Sequence, residues 1–295
     1  MCGIFIALSK NKPLDILKCK TSFFSIQHRG PDYSYFNFDS KNFFGQHVLS
    51  VSESGPFIKR NFLYNGEIYN FDSKESDTIE LSRLLENNFL KDIIHILDGA
   101  YVIIQKKNDQ LQIVRDPQGE KTIFVYEDDE IILISSEFSP ILNFVNCHLD
   151  FETIRSYFYT RHLLQIDKTI YKNVFQVEPG ELCNLNLKTF KWKRRKKDLS
   201  QFVDLNKLEE FNSRSEDSLI EELDELLKNN ARQMIPDKKF AAIVSGGVDS
   251  TLLSNYLKND TDLLVAIDHV GKDRISNNLI PFEKVLGKIH VIKIH

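Results

Sequence analysis

The chain opens MCGIFIAL (residues 1–8), and the reading of this stretch decides the fold. Removal of Met1 would leave Cys2 with a thiol and a free α-amine on one residue, a nucleophile and a base that need no second side chain. The GIFIAL that follows reads as a buried strand. No basic stretch precedes it and no cleavage-like run follows, so it does not read as a signal peptide.

Working outward, short β-rich runs alternate with turn clusters through the first two-thirds of the chain: FLYNGEIYN (62–70), YVIIQKK (101–107), LQIVRD (111–116), KTIFVYE (121–127), EIILISSE (130–137) and ELCNLNL (181–187). DTIELSRLLENN (77–88) carries helical spacing. Packed sheets with helices outside are expected over 1–190. Polar and charged residues dominate 191–215, which reads as a linker, and KWKRRKK (191–197) within it reads as a solvated strand end. From 216 to 295 a second domain is expected. Leu219, Leu223, Leu226 and Ala231 lie near helical spacing behind the N-cap candidate Ser215, and apolar runs at 240–244, 263–267 and 288–294 alternate with helical stretches in βαβαβ order. That order predicts a parallel sheet.

The 295 residues are 42% hydrophobic and 27% charged, which suits globular domains rather than disorder. A formal net charge of -4 argues against a nucleic-acid partner. No apolar run approaches the roughly 18–20 residues that span a bilayer, so no membrane partner is expected. Cys2, Cys19, Cys147 and Cys183 are scattered without metal or disulfide spacing, and a reducing cytoplasm fits them.

SGGVDS (245–250) follows a predicted strand and opens a predicted helix. Backbone N–H groups at such a turn converge on an anion. Gly246 and Gly247 permit close approach, Ser245 and Ser250 add hydroxyl donors, and Asp249 suits a Mg²⁺ that bridges phosphate oxygens. The turn is neither a Walker motif nor a dinucleotide fingerprint. The competing reading is a serine-glycine turn with a capping aspartate.

SGGVDS resembles the pyrophosphate loop of ATP pyrophosphatases. MCGIF, QHRGPD (27–32), NGEIYN (65–70), ESD (75–77), RDPQGEK (115–121) and SSE (135–137) resemble class II glutamine amidotransferases. In this order, the set resembles the glutamine-hydrolysing asparagine synthetase family from residue 2 to about 294. The resemblance implies an α+β N-terminal nucleophile αββα sandwich, followed by a partial α/β parallel-sheet nucleotide-binding domain. It makes Cys2 the nucleophile toward the glutamine amide, with Asn65 and Gly66 as the oxyanion hole. Glu67, Asp77 and Arg29 belong to the glutamine site, Asp77 holding the α-ammonium. The alternatives are a hairpin turn for Asn65-Gly66, a helix cap for Asp77 and a surface ion pair for Arg29. Val244, Ser245, Gly246, Gly247, Asp249, Ser250 and Ile267 would meet ATP or pyrophosphate, with Mg²⁺ through Asp249; hydrolysis of glutamine itself needs no cofactor.

The implied reaction is ATP-dependent amidation of aspartate with ammonia from glutamine. Other carboxylate acceptors, or a silent regulatory or split-enzyme subunit, are the alternatives. Two departures from the family pattern bear on these. QHVLSV (46–51) places Val48 where an arginine for the glutamine α-carboxylate is expected, leaving Lys59 or Arg60 as substitutes. The family's synthetase domain runs on past this length, so the chain is expected to hold the glutaminase half and the start of the other. A second polypeptide that completes it, and a homodimer, are the protein partners considered.

Overall fold

The computed structural model describes residues 1–50, 61–71, 76–196, 205–236, 239–269, 286–287 and 289–294, without side chains for 205–206, 267–269 and 293–294. The chain divides into two units, Met1–Leu199 and Ser200–His295.

The first unit begins with β1 (Gly3–Ser9), α1 (Ile16–Phe24), a 3₁₀ turn (Gln27–Arg29), β2 (Tyr33–Phe38), β3 (Asn42–Val48) and β4 (Phe62–Ile68). It continues through α2 (Asp77–Asn87), α3 (Leu90–Ile93), β5 (Gly99–Lys107), β6 (Gln110–Arg115), β7 (Phe124–Glu127) and β8 (Ile131–Ser135). It closes with α4 (Phe138–Phe144), α5 (Phe151–Thr160), β9 (Val174–Gln176), β10 (Glu181–Asn186) and β11 (Trp192–Lys196). The strands form two antiparallel sheets, ordered β2-β3-β1-β8-β7-β9 and β11-β10-β6-β5-β4.

Side-chain alternation along each strand builds the layers. Ile4, Ile6 and Leu8 of β1 meet Val102, Ile104, Ile113, Cys183 and Leu185 of the other sheet in one buried core. Phe5 and Ala7 point the opposite way, onto Cys19, Phe23, Ile141 and Phe144 of α1 and α4. Tyr64, Tyr101 and Ile103 back the second sheet against Leu81 and Leu85 of α2 and Leu90 of α3. The result is the expected αββα sandwich. Because β1 is covered on both faces, it is apolar throughout rather than alternating.

The expected linker over 191–215 is corrected in part. Residues 192–196 are strand β11, paired with β10 from Glu181↔Lys196 to Leu185↔Trp192. This agrees with the reading of KWKRRKK as a solvated strand end, and lysine and arginine on an outermost strand discourage further strand pairing, so the charge suits its place. Residues 205–213 are helix α6 (Leu205–Ser213), which also falls within that span.

The second unit contains α6, α7 (Glu216–Gln233), β12 (Ala241–Ile243), α8 (Val248–Leu257), β13 (Leu263–His269) and β14 (His290–Ile294). Its three strands are parallel in the order β12-β13-β14, with Ile243↔Val265 and Val265↔His290 in register. Val244, Leu264, Ala266, Leu286 and Ile289 form its small core. Ser215 caps α7 by accepting from the Ser218 N–H. Of the apolar positions expected on one face of α7, Ala231 is buried, while Leu223 and Leu226 are exposed. The helix expected between the last two strands falls on 270–285, outside the described residues. No helix among the described residues is long and apolar enough to cross a membrane.

Candidate active site

Cys2 lies at the start of β1, the strand flanked by β3 and β8. Its main-chain nitrogen donates to Asn65 Oδ1 at 2.9 Å, which joins the first strand of one sheet to β4 of the other. Asn65 is fully buried, and its Nδ2 has no hydrogen-bond acceptor among the described residues. A buried donor without a partner costs stability, so this amide is poised for an acceptor beyond the described residues. Gly66, next on the strand, must be glycine: a Cβ there would lie 2.1 Å from Ala100 O and 2.6 Å from Tyr101 Cα on β5.

Arg29 closes over the same cysteine. Its Nε donates to Cys2 O at 3.2 Å, and its Nη1 to Glu137 Oε1 at 2.9 Å. His28 also reaches that carboxylate, at 3.1 Å. Burial pushes Glu137 up, but the contacts from Arg29 and His28 outweigh it and hold the carboxyl below its ordinary value. The expected HRGPD and SSE segments are thus tied by one ion pair beside Cys2. Ser136 fixes the strand itself, accepting from Ile4 N through Oγ and donating its own N–H to Ile4 O, both at 3.0 Å. Gly30 admits no side chain, since a Cβ would stand 2.4 Å from Val48 N.

Asp77 opens α2, and its Oδ2 accepts from the Tyr64 hydroxyl at 2.5 Å and from Ile68 N at 3.2 Å. Glu67 is exposed on β4, one residue past Gly66. Asn70 ties the end of β4 to the approach to β5, donating to Ile96 O and accepting from Asp98 N. In RDPQGEK, Arg115 donates to the carbonyls of Lys121, Val177 and Gly119, and Asp116 accepts from the N–H groups of Glu120 and Lys121. These two residues shape a loop. Burial, then the carboxylates of Glu67, Glu120, Asp116 and Asp98, push the Tyr69 phenol up to about 12.

The other cysteines are poor nucleophiles. Burial pushes Cys19 up to about 12 and raises Cys147 and Cys183 as well. Val48 ends β3 opposite Tyr33 and brings no cation to the site. Lys59, Arg60 and Glu75 lie outside the described residues. Sequence reasoning missed Gln46 and Tyr64, which are buried behind Asn65, and gave Glu137 no role. The only sequence signal for Tyr64 is its place immediately before the NGEIYN run.

In the second unit, SGGVDS forms the predicted strand–turn–helix. Val244 is fully buried and donates its N–H to Val265 O at 2.8 Å. Ser245 Oγ and Ser250 Oγ lie 2.9 Å apart, Gly246 has φ +83°, and Gly247 caps α8. A Cβ on Gly247 would meet nothing closer than Ser245 Oγ at 3.6 Å, so the turn is open. Asp249 is exposed in the first turn of α8. Ile267 lies on β13, in register with Ile292 of β14. Among the described residues, no group of three or more His, Cys, Asp or Glu is placed to hold a metal ion.

A glutamine amidotransferase domain profile matches residues 1–196, and the chain belongs to that family, named for glutamine as amide donor. It is 25% identical over 268 residues to asparagine synthetase [glutamine-hydrolyzing] 2 of Bacillus subtilis, covering 81% of this chain and 36% of the relative. It is 26% identical over 306 residues to a putative asparagine synthetase [glutamine-hydrolyzing] 2 of Methanocaldococcus jannaschii, covering 89% of this chain and 58% of the relative. The chain therefore spans less than two-thirds of the length of either. Among solved structures, the glutamine phosphoribosylpyrophosphate amidotransferase of B. subtilis aligns over 99% of this chain and 65% of that one, with TM-score 0.45 and 15% identity.

Proposed function

We propose that the first unit is a glutaminase in which Cys2, freed of Met1, attacks the side-chain amide of glutamine. The observation that carries this reading is the Cys2 nitrogen held by Asn65 Oδ1 at 2.9 Å, with Asn65 Nδ2 buried beside it and without an acceptor among the described residues. Once Met1 is removed, that nitrogen is an α-amine of pKa near 8, usable as a base at neutral pH. Its lone pair takes the thiol proton while an N–H stays on Asn65. Sulfur bonds to the amide carbon, and the charge that develops on oxygen meets Asn65 Nδ2 and the Gly66 N–H. The ammonium returns its proton to the leaving nitrogen, the C–N bond breaks, and ammonia departs from a thioester that water cleaves to glutamate. Asp77 receives the α-ammonium of glutamine through its carboxylate, Arg29 holds Cys2 in place, and Glu67 borders the substrate.

The second unit is read as a nucleotide site. The open turn, the paired hydroxyls of Ser245 and Ser250 and the N-terminus of the ten-residue helix α8 suit an anion. Ser245, Gly246, Gly247 and Ser250 would hold the pyrophosphate of ATP, Val244 and Ile267 the nucleoside, and Asp249 a Mg²⁺. Bound ATP would supply activation of an acceptor carboxylate, aspartate or another, which ammonia then converts to an amide. Likeness to asparagine synthetases supports aspartate as the first acceptor to test.

The test is glutamate release from glutamine by the purified chain, with loss of Met1 verified by mass, beside Cys2→Ala. Turnover that vanishes in Cys2→Ala is expected. Equal release by both proteins, or none from the processed chain, overturns the reading.

A further inference from the structure

The oxyanion donor and the ammonium-binding carboxylate lie on different elements, and one buried chain of hydrogen bonds joins them. Gln46 on β3 is 1% exposed and reaches across to the other sheet. Its Nε2 donates to Tyr64 O at 2.6 Å. Its Oε1 accepts from Tyr64 N at 3.1 Å and from the Tyr35 hydroxyl at 2.6 Å. Since β4 is the outermost strand of its sheet, the primary amide of Gln46 pairs with the main chain of Tyr64 as a neighbouring strand would.

Tyr64 carries the chain onward in two directions. Its main chain leads straight into Asn65, whose side chain holds the Cys2 nitrogen. Its hydroxyl donates to Asp77 Oδ2 at 2.5 Å, inside the core beneath α2. Burial, and then Asp77, push this phenol well above its ordinary 10, so it remains a donor across the working pH range. The Gln46 amide, the Tyr64 main chain and hydroxyl and Asp77 Oδ2 all have partners, the condition under which a buried polar network fixes a single geometry.

We infer that Gln46 and Tyr64 are positioning residues for glutamine hydrolysis, an inference that rests on the Cys2 reading. Gln46 sets where Asn65 stands against Cys2, and Tyr64 fixes the Asp77 carboxylate in the attitude that receives the substrate ammonium. The two residues therefore control different kinetic constants. Gln46 governs transition-state charge stabilisation and acts on kcat. Tyr64, through its hydroxyl, governs substrate binding and acts on KM.

Steady-state glutamine hydrolysis by the full chain tests this, with denaturation midpoints measured in parallel. Tyr64→Phe keeps the ring and removes one donor to a charged group; KM for glutamine is expected to rise roughly tenfold with kcat held within about twofold. Gln46→Met keeps the length and removes the amide, and kcat is expected to fall about tenfold or more with KM little changed. Gln46→Glu supplies the rescue. Its buried carboxyl is neutral at low pH and can donate to Tyr64 O, so its kcat, relative to wild type, should recover on acidification and collapse as pH rises. Tyr64→Phe with unchanged KM, or Gln46→Glu with a wild-type pH profile, would overturn the inference while wild-type turnover leaves the Cys2 reading standing. Should Gln46→Met not fold, the Tyr64→Phe and Gln46→Glu arms decide. Wild-type protein without glutamate release would overturn both together.

Discussion

Asn65→Ala separates a catalytic donor from a structural one. Among the described residues the side chain makes one hydrogen bond, to the Cys2 nitrogen, and Nδ2 has no acceptor at a fully buried site. Losing the bond costs about 0.5–1.5 kcal/mol, whereas removing a buried orphan donor recovers about 1–3 kcal/mol. Truncation also opens a small cavity at the strand, which opposes the gain. These effects largely offset, so unfolding free energy is expected to fall by no more than about 2 kcal/mol. Catalysis has no such offset: loss of an oxyanion donor typically costs about 10²–10³ in kcat, or about 2.7–4 kcal/mol. The assay pairs glutamate release with chemical denaturation, and adds the rate at which iodoacetamide alkylates Cys2 to show that the thiol survives. Near-normal stability, a reactive Cys2 and a loss of at least a hundredfold in kcat are expected. A large loss of stability with kcat kept within tenfold would show that Asn65 is a strand tie, and the oxyanion assignment would fail.

Two further outcomes follow from packing and titration. Gly66→Ala drives a Cβ to 2.1 Å from Ala100 O, backbone that can yield only if β4 moves away from β5. A loss of about 1–3 kcal/mol in unfolding free energy is expected by denaturation, together with loss of glutaminase activity. His47 is buried, stacks on Phe23 and approaches Phe23 O through Nε2 at 2.9 Å. A carbonyl can only accept, so Nε2 carries a proton, and in the neutral ring Nδ1 accepts from Ser34 Oγ. Burial holds its pKa below the ordinary 6.5, so the unfolded chain binds a proton there first as pH falls. Stability contributed by His47 is thus present above about 6.5 and declines below it, by at most about 1.4 kcal/mol per pH unit. Denaturation at pH 7.5 and 5.5 should show this decline in wild type, and a shallower one in His47→Gln.

The groups of the proposed N-terminal site sit in short contiguous runs. Cys2 and Asn65-Gly66 could be named from the chain alone, and the fold joins them through a single hydrogen bond. Apolar β1 and the helical spacing of 77–88 likewise gave the sandwich its centre and one of its outer helices. Gln46 and Tyr64 were not legible, because a glutamine and a tyrosine inside strands carry no signal until two sheets face each other. Glu137 gains meaning only when Arg29, more than a hundred residues earlier, arrives at 2.9 Å. Strand β11 was legible only as a solvated strand end inside a linker, since WKRRK offers no apolar alternation and its stability comes from pairing with β10 and from the contact of Arg194 with buried Glu181. Val48, singled out from the sequence as a departure, ends β3 and brings no cation to the site.

The most direct test of the account is the site of covalent capture by a glutamine analogue that carries a diazomethyl ketone in place of its side-chain amide. The chain with Met1 removed should gain one adduct, mapped by peptide mass spectrometry to the sulfur of Cys2, slowed by excess glutamine and absent from Cys2→Ala. An adduct on another residue, or glutamate release that continues after Cys2 is fully blocked, would contradict the claim that this N-terminal cysteine is the nucleophile.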